Sequence, residues 1–216
     1  PSPEEVVDII RNGGFELPWD EDGLAAEWEG YRNGRAWAAW YKETWPEAVH
    51  SGEQAQLMEI FQVEPNVLDR VIAIYQTVNV QPNSQYDLRF HALMRSQVGE
   101  HDRNKFEFEM NWGVDYFGEG NYDNVEEWVF IPLEEQFRLG STGEFPEDIP
   151  LRYELVTGTI ETGDSDQITL FIRGWKKFPT GAEVNFDVDD VSLVGPAPGA
   201  AVLSGHARDA QELAEG

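Results

Sequence analysis

The chain has 216 residues, which fits one large domain or two small ones, and its eight Trp, twelve Phe and seven Tyr can fill a sizeable core. It has no cysteine, which excludes disulfides and thiolate metal sites. The 41 acidic and 15 basic residues give a net charge of -26, which disfavours nucleic acid as a partner and leaves neutral ligands and metal cations compatible. No apolar run of about 18 residues is present, so no membrane insertion is expected.

Alternation of apolar and polar residues predicts β-strands along most of the chain. The first segment, 3–11, suits a helical turn or a strand equally well. In chain order, further strands are predicted at 54–62, 71–78, 86–95, 106–112, 128–133, 151–159, 168–175 and 186–193. Turn signals such as Ser51-Gly52 and Thr162-Gly163-Asp164 separate these runs. Many short strands with such turns predict an all-β antiparallel sandwich.

Two segments have a less regular pattern. Residues 37–45 hold three Trp and one Tyr, and they predict either a strand followed by a ligand-binding loop or an aromatic cluster that orders a long loop. Residues 195–200, rich in Pro, Gly and Ala, mark a boundary. We therefore expect one domain at 1–195 and a linker or disordered tail at 196–216.

Carboxylates lie beside strand-like apolar runs near both ends of the chain. One group is in the segment 12–16, Asn-Gly-Gly-Phe-Glu, and the other is in 187–193, Asp-Val-Asp-Asp-Val-Ser-Leu. Both segments look like terminal strands of one domain, which suggests that the chain ends meet. Because calcium takes carboxylate and carbonyl oxygens, these acids are candidates for a calcium site, with ordinary strand-end acids as the alternative.

Four motifs occur in a fixed order: Asn-Gly-Gly-Phe-Glu at 12–16, Val-His-Ser-Gly at 49–52, Tyr-Asp-Leu-Arg-Phe at 86–90 and Asp-Asp-Val-Ser-Leu at 189–193. Over about residues 10 to 195 the chain resembles the carbohydrate-binding modules of the galactose-binding-like β-sandwich group, the type of families four, nine, sixteen and twenty-two. This resemblance implies a jelly-roll of two antiparallel sheets with a structural calcium ion.

The resemblance also implies the calcium ligands: Gly14 through its carbonyl, Glu16, Glu53 and Asp189. The loop after Ser51-Gly52 would contribute either Glu53 or a carbonyl, and the carbonyl of His50 is a further possibility. Asp190 competes with Asp189 for its role. By simple alternation Asp189 is expected to point into the core, where it needs a partner.

A glycan site needs exposed aromatic rings beside hydrogen-bonding side chains. Strands 86–95 and 106–112 look adjacent and offer such groups opposite their core faces, with a third strand and one loop contributing. The candidates are Arg89, His91, Glu107, Glu109, Asn111, Tyr116, Arg173 and Trp175. A solvated, salt-bridged sheet face is the alternative. Trp112 and Trp128 are expected in the core.

These observations predict a non-catalytic module that binds a polysaccharide or oligosaccharide on one sheet face and carries a structural calcium. It would belong to a larger, multidomain, secreted or cell-surface protein. An interaction or architectural domain of a surface protein, with calcium and no glycan site, is the alternative. A jelly-roll glycosidase is a third possibility, which would need two carboxyl groups about 5–10 Å apart across a cleft.

Overall fold

The computed structural model describes residues 5–34, 38–61, 68–96, 108–137, 150–178 and 183–199. The strands within these ranges are β1 (Val6–Asp8), β2 (Glu29–Arg32), β3 (Ala38–Glu43), β4 (Ala55–Ile60), β5 (Arg70–Asn79), β6 (Gln85–Ser96), β7 (Phe108–Asp115), β8 (Trp128–Ile131), β9 (Glu135–Phe137), β10 (Glu154–Glu161), β11 (Gln167–Lys176) and β12 (Val184–Pro196). Short 3-10 turns occur at Pro46–Ala48 and Tyr122–Asn124. No helix among the described residues is long and apolar enough to cross a membrane.

The strands form two sheets. The seven-stranded sheet has the order β10-β6-β12-β4-β3, with β1 also paired to β12 and β9 to β6; the five-stranded sheet has the order β2-β5-β11-β7-β8. Apart from the parallel pair β6–β9, the strands of both sheets pair antiparallel. The predicted all-β sandwich of two antiparallel sheets is therefore confirmed.

The core lies between the inner faces of the two sheets. Fully buried side chains from both sheets meet there, among them Met58, Ile72, Ile74, Phe90, Met110, Ile172 and Phe186. The sheets approach closely at Gly174, where an added Cβ would lie 2.1 Å from a ring carbon of Phe186. Trp40, from the aromatic segment 37–45, is buried in this core and donates its Nε1 proton to the carbonyl of Ala73 at 3.1 Å.

The first and last strands lie side by side. Val6 is paired with Pro196, and the N–H of Ala197 donates to the carbonyl of Glu5 at 2.9 Å. The segment 3–11 therefore contributes a strand, and backbone pairing continues slightly past the predicted boundary at 195. Residues 200–216 lie outside the described ranges, so the predicted tail stays a prediction for them.

Candidate functional site

A β-bulge in β12 determines where the acidic side chains point. Asp189 pairs with His91, but Ser192 pairs with Arg89, so β12 has one residue more than β6 over this stretch. The extra residue is Asp190, whose φ of 51° lies in the left-handed region. The expectation that Asp189 points into the core is wrong, because the bulge interrupts the alternation: Asp189 lies on the outer face with His91.

Glu16 and Asp189 hold the loop that precedes β4. Asp189 is buried, and its Oδ2 accepts hydrogen bonds from the backbone N–H groups of His50 and Ser51 at 3.0 and 3.1 Å. Oε1 of Glu16 accepts from the N–H groups of residues 53 and 54 at 2.7 and 3.0 Å. The loop must pass close to Glu16 at Gly52, since an added Cβ there would lie 2.1 Å from Oε1.

The predicted calcium ligands surround this one loop. Glu16 and Glu53 are exposed, and Oε2 of Glu16 and the carboxylate of Glu53 have no hydrogen-bond partner within the described ranges. Gly14 lies close by, because a Cβ added to it would be 3.7 Å from Oδ1 of Asp190. Carboxylate and carbonyl oxygens are the donors that calcium prefers. Among the described residues, however, the three side chains whose ligand atoms all lie within 4.8 Å of one another are His50, His91 and Asp190, so Glu16, Glu53 and Asp189 would have to move closer together to share an ion.

Burial changes the pKa of Asp189, the carboxylate that accepts hydrogen bonds from this loop. Loss of solvation raises the pKa of Asp189 to about 6, with the neighbouring Asp190 adding to the rise and the backbone N–H groups opposing it. An ion bound to the carboxylate would favour its charged form and reverse this shift.

The predicted glycan-binding residues lie on two different sheets. Arg89 and His91 are on the outer face of the seven-stranded sheet, whereas Glu109, Asn111 and the β11 residues are on the five-stranded sheet. The prediction that strands 86–95 and 106–112 are adjacent is wrong, because the chain crosses from one sheet to the other between β6 and β7. Glu107 lies outside the described residues. The structure therefore does not gather all eight residues on one face.

The outer face of the five-stranded sheet brings three of the predicted residues together. Arg173 donates from Nε to Oδ1 of Asn111 at 3.0 Å, and its guanidinium carbon lies 5.0 Å from the ring of Trp175. Trp175 is partly buried and donates from Nε1 to Asp69 at 3.2 Å.

Glu109 lies next to this group and forms an ion pair. Its carboxylate is 2.6 Å from Nζ of Lys177, which also lies 4.6 Å from the ring centre of Trp175. The two charges therefore compensate each other beside the indole.

Four aromatic residues on the same face were missed or misplaced by the sequence prediction. Trp128, expected in the core, packs instead on the outer face with Tyr31, Tyr75 and Tyr122, around a small buried cluster that includes Phe171. The rings of Tyr31 and Tyr122 are stacked, with centroids 4.1 Å apart and an interplanar angle of 9°. Tyr122 also lies 5.0 Å from the ring of Trp128. Alternation along β2 and β5 could have identified Tyr31 and Tyr75.

Arg173 lies at the centre of these rings. Its guanidinium carbon is 3.9 Å from the ring centre of Trp128, and Nη1 donates to the hydroxyl of Tyr122. Nη2 has no hydrogen-bond partner in the part of the chain that the structure describes. Burial raises the pKa of Tyr122 and Arg173 opposes the rise. Burial, followed by the hydrogen bond to Glu29 and the charge of that carboxylate, raises the pKa of Tyr75 to about 12, so both phenols stay protonated near neutral pH.

The loop after β7 carries Tyr122 over the sheet and is fixed by Asp115. This buried carboxylate accepts hydrogen bonds from the backbone N–H groups of residues 117, 119 and 121, at 2.8, 3.0 and 3.2 Å. Tyr116 begins the same loop, is 45% exposed, and accepts a hydrogen bond at its carbonyl from the hydroxyl of Ser165. These hydrogen bonds fix the backbone of the loop in this position, which sequence periodicity does not reveal.

Comparison with known proteins concerns the fold. No protein-family model and no curated protein sequence matches the chain. The K2 cleaved adhesin domain of Lys-gingipain is 10% identical, with a TM-score of 0.50 over 89% of this chain and 97% of that chain. TmCBM61 in complex with β-1,4-galactotriose is 17% identical, with a TM-score of 0.48 over 87% of this chain and 97% of that chain. The CBM22-1 xylan-binding domain from Paenibacillus barcinonensis Xyn10C is 9% identical, with a TM-score of 0.46 over 89% and 96%.

The two-sheet β-sandwich that the resemblance implied is confirmed by the strand pairing. The similarity to the K2 adhesin domain, with a TM-score of 0.50, concerns the same fold. Identities of this size concern architecture alone, so the function has to be argued from the side chains.

Proposed function

We propose that the chain is a non-catalytic module that binds a polysaccharide or oligosaccharide on the outer face of its five-stranded sheet. The observation that carries this proposal is the position of Arg173, which is 9% exposed: its guanidinium lies 3.9 Å over the Trp128 ring, and Nη2 has no hydrogen-bond partner among the described residues. Sugars present C–H faces to aromatic rings and hydroxyl groups to guanidinium donors, so one sugar residue can use Nη2 together with the exposed ring of Phe130.

The neighbouring residues support the same chemistry. Phe130 is 56% exposed and lies opposite Asn111, so an apolar ring adjoins polar side chains. Tyr122 and Tyr31 add partly exposed rings at the loop side of this face. The combination of rings with hydrogen-bonding groups supports glycan binding at this face, which also carries the ion pair between Glu109 and Lys177.

The proposal also includes a structural calcium ion held by the carbonyl of Gly14 with Glu16, Glu53 and Asp189. The ion would join the first and last parts of the chain to the loop 50–54 and would stabilise the fold without taking part in chemistry. The module would serve as one domain of a larger secreted or cell-surface protein and would hold that protein on a glycan.

The proposal assigns no catalytic residues. Glu109 forms an ion pair with Lys177 at 2.6 Å, so this carboxylate already has a partner. A glycosidase would need a second acid across a cleft with a raised pKa.

Affinity electrophoresis with a panel of soluble polysaccharides tests the function. We expect at least one polysaccharide to retard the wild-type protein, and Phe130→Ala to weaken that interaction about fivefold, the effect of losing one stacking ring. Leu155→Ala is the matched control, because Leu155 is 54% exposed on β10 of the other sheet and Phe130 is 56% exposed. Failure of every polysaccharide to bind would favour the interaction domain, and equal effects of both variants would contradict the assigned face.

A further inference from the structure

Two imidazole rings and a carboxylate meet at the bulge of β12. The rings of His50 and His91 are stacked, with centroids 3.5 Å apart and an interplanar angle of 14°. Nδ1 of His50 lies 2.7 Å from Oδ2 of Asp190, and Nδ1 of His91 lies 3.8 Å from the same oxygen. One ligand atom from each of the three residues lies within 4.8 Å of the other two.

His91 has a buried nitrogen without a partner. Its Nδ1 makes no hydrogen bond with any described residue, although it faces the carboxylate of Asp190. A distance of 3.8 Å is too long for a hydrogen bond, and leaving such a group unsatisfied is unfavourable. A group placed between the imidazoles and the carboxylate would satisfy this nitrogen.

The surrounding structure fixes two of the three side chains, Asp190 and His50. The hydroxyl of Ser51 donates to Oδ1 of Asp190 at 2.7 Å, which leaves Oδ2 turned toward both imidazoles. The ring of His50 also packs edge-on against Tyr153, with centroids 5.5 Å apart. Hydrogen bonds that orient a ligand carboxylate are a regular feature of protein metal sites.

We propose that His50, His91 and Asp190 bind a transition-metal ion of the zinc class, such as Zn²⁺, Co²⁺ or Ni²⁺. Imidazole nitrogens with one carboxylate suit these ions, whereas calcium takes oxygen donors, so this site differs from the proposed calcium site. The side chains are 34%, 23% and 31% exposed, which gives an ion access from solvent. Three protein ligands leave a fourth position for water.

The proposed ion would join three separate segments. His50 belongs to the loop before β4, His91 to β6 and Asp190 to the bulge of β12. His50 also lines a surface cavity of about 320 Å³ with Pro46, Leu151 and Tyr153, which adds an approach for the ion. Binding should therefore raise the thermal stability of the whole domain, because the unfolded chain does not hold these segments together.

Isothermal titration of the full chain with ZnCl₂, after chelation and then saturation with calcium, tests the proposal. We expect one bound equivalent and a rise in melting temperature, and an at least tenfold weaker affinity in His91→Phe, which keeps a stacking ring and removes the nitrogens. Asp164→Asn, at an exposed position of the turn before β11, is the control and should bind zinc like the wild type. The calcium response should be unchanged in His91→Phe, which separates this site from the calcium site.

Two outcomes would overturn the proposal: no zinc binding by the calcium-saturated protein, or equal binding by the wild type and His91→Phe. If His91→Phe does not fold, as judged by its melting curve without metal, Asp190→Asn replaces it. Asparagine tolerates the left-handed φ of 51° at this position and can keep the hydrogen bond from Ser51. Unchanged zinc affinity in Asp190→Asn would then count against the site.

Discussion

Glu16 and Asp189 hold the two halves of one loop. Asp189 accepts hydrogen bonds from the N–H groups of residues 50 and 51, and Glu16 accepts from those of residues 53 and 54. The first and last parts of the chain are thus connected through a third segment as well as through the pairing of β1 with β12. These four hydrogen bonds place both carboxylates against the loop, where the proposed calcium ion would bind to their oxygens.

Removal of calcium is the first prediction. We expect a chelator to lower the melting temperature of the wild-type protein, because an ion present at 100 times its Kd adds about 2.7 kcal/mol to the free energy of unfolding. For a chain of this size that corresponds to roughly 5–10 °C. Differential scanning calorimetry with and without chelator measures the change.

The matched variants for this prediction are Glu16→Gln and Glu154→Gln. Glu16→Gln should lose most of the calcium response, while Glu154→Gln, on an exposed position of β10, should keep it. A wild-type melting temperature that is the same with calcium and with chelator would contradict the calcium site.

The second prediction concerns the close approach of the chain ends at Gly13. A Cβ at this position would lie 1.8 Å from the carbonyl oxygen of Val191, whose N–H donates to the Gly13 carbonyl at 2.9 Å. Gly13→Ala should therefore lower the free energy of unfolding by about 1–3 kcal/mol or more, since backbone atoms have to move. Urea unfolding measures this change.

Gly14→Ala is the control for the second prediction. Its Cβ would meet only Oδ1 of Asp190, at 3.7 Å, which is ordinary van der Waals contact. We expect an effect below about 0.5 kcal/mol. Equal destabilisation by both variants would show that the contact with Val191 is not the cause.

Alternation predicted the strands well because side chains on neighbouring positions must face opposite sides of a sheet. The pattern at 168–175 put Ile168, Leu170 and Ile172 in the core, and it correctly left Arg173 on the outer side. It could not predict which strands pair, because pairing depends on the path between sheets. Alternation also gave the wrong direction for Asp189. The extra residue at Asp190 shifts the side chains before it to the opposite face of the sheet, and the apolar pattern does not reveal this bulge.

The site was harder to predict than the fold. Trp128 begins a short apolar run that reads as core, yet it packs beside Arg173 on the outer face. Tyr122 lies in a loop, where no periodicity predicts its direction, and the hydrogen bonds to Asp115 determine its place. Contacts of this kind form between residues that the fold brings together, so the local sequence does not predict them.

The third prediction concerns Trp175. Its ring lies 5.0 Å from the guanidinium carbon of Arg173 and 4.6 Å from the ammonium of Lys177, so it also keeps these cations in place. Trp175→Ala should weaken glycan affinity by more than about 1 kcal/mol. The measurement is a titration with whichever polysaccharide binds in the panel.

Arg89→Ala provides the comparison for Trp175→Ala. Arg89 is exposed on the seven-stranded sheet, away from the proposed face, and we expect its removal to leave the affinity unchanged. A loss of binding in Arg89→Ala together with none in Trp175→Ala would move the glycan site to the other sheet.

The fourth prediction is a pH dependence that originates at Glu59. Burial, followed by the charge and hydrogen bond of Glu183, raises the pKa of Glu59 from 4.5 to about 7, and Arg95 opposes the rise. Because the folded state then binds the proton more tightly than the unfolded state, the stabilisation from Glu59 is fully present below about pH 4.5 and is lost as the pH rises through about 7. Glu59→Gln removes this titration. At pH 8 we expect the variant to be more stable than the wild type by about 1–2 kcal/mol, after allowing for solvent screening.

Urea unfolding of the wild type and Glu59→Gln at pH 4.5, 6 and 8 measures this difference. The gap between the two free energies of unfolding should widen as the pH rises, because only the wild type must charge a partly buried carboxyl that faces Glu183. Glu154→Gln should follow the wild type at every pH, since Glu154 is exposed on β10. A difference in the free energy of unfolding that is the same at all three pH values would contradict the prediction. Glu59 would then ionise at little cost in the folded protein, with Arg95 compensating the repulsion from Glu183.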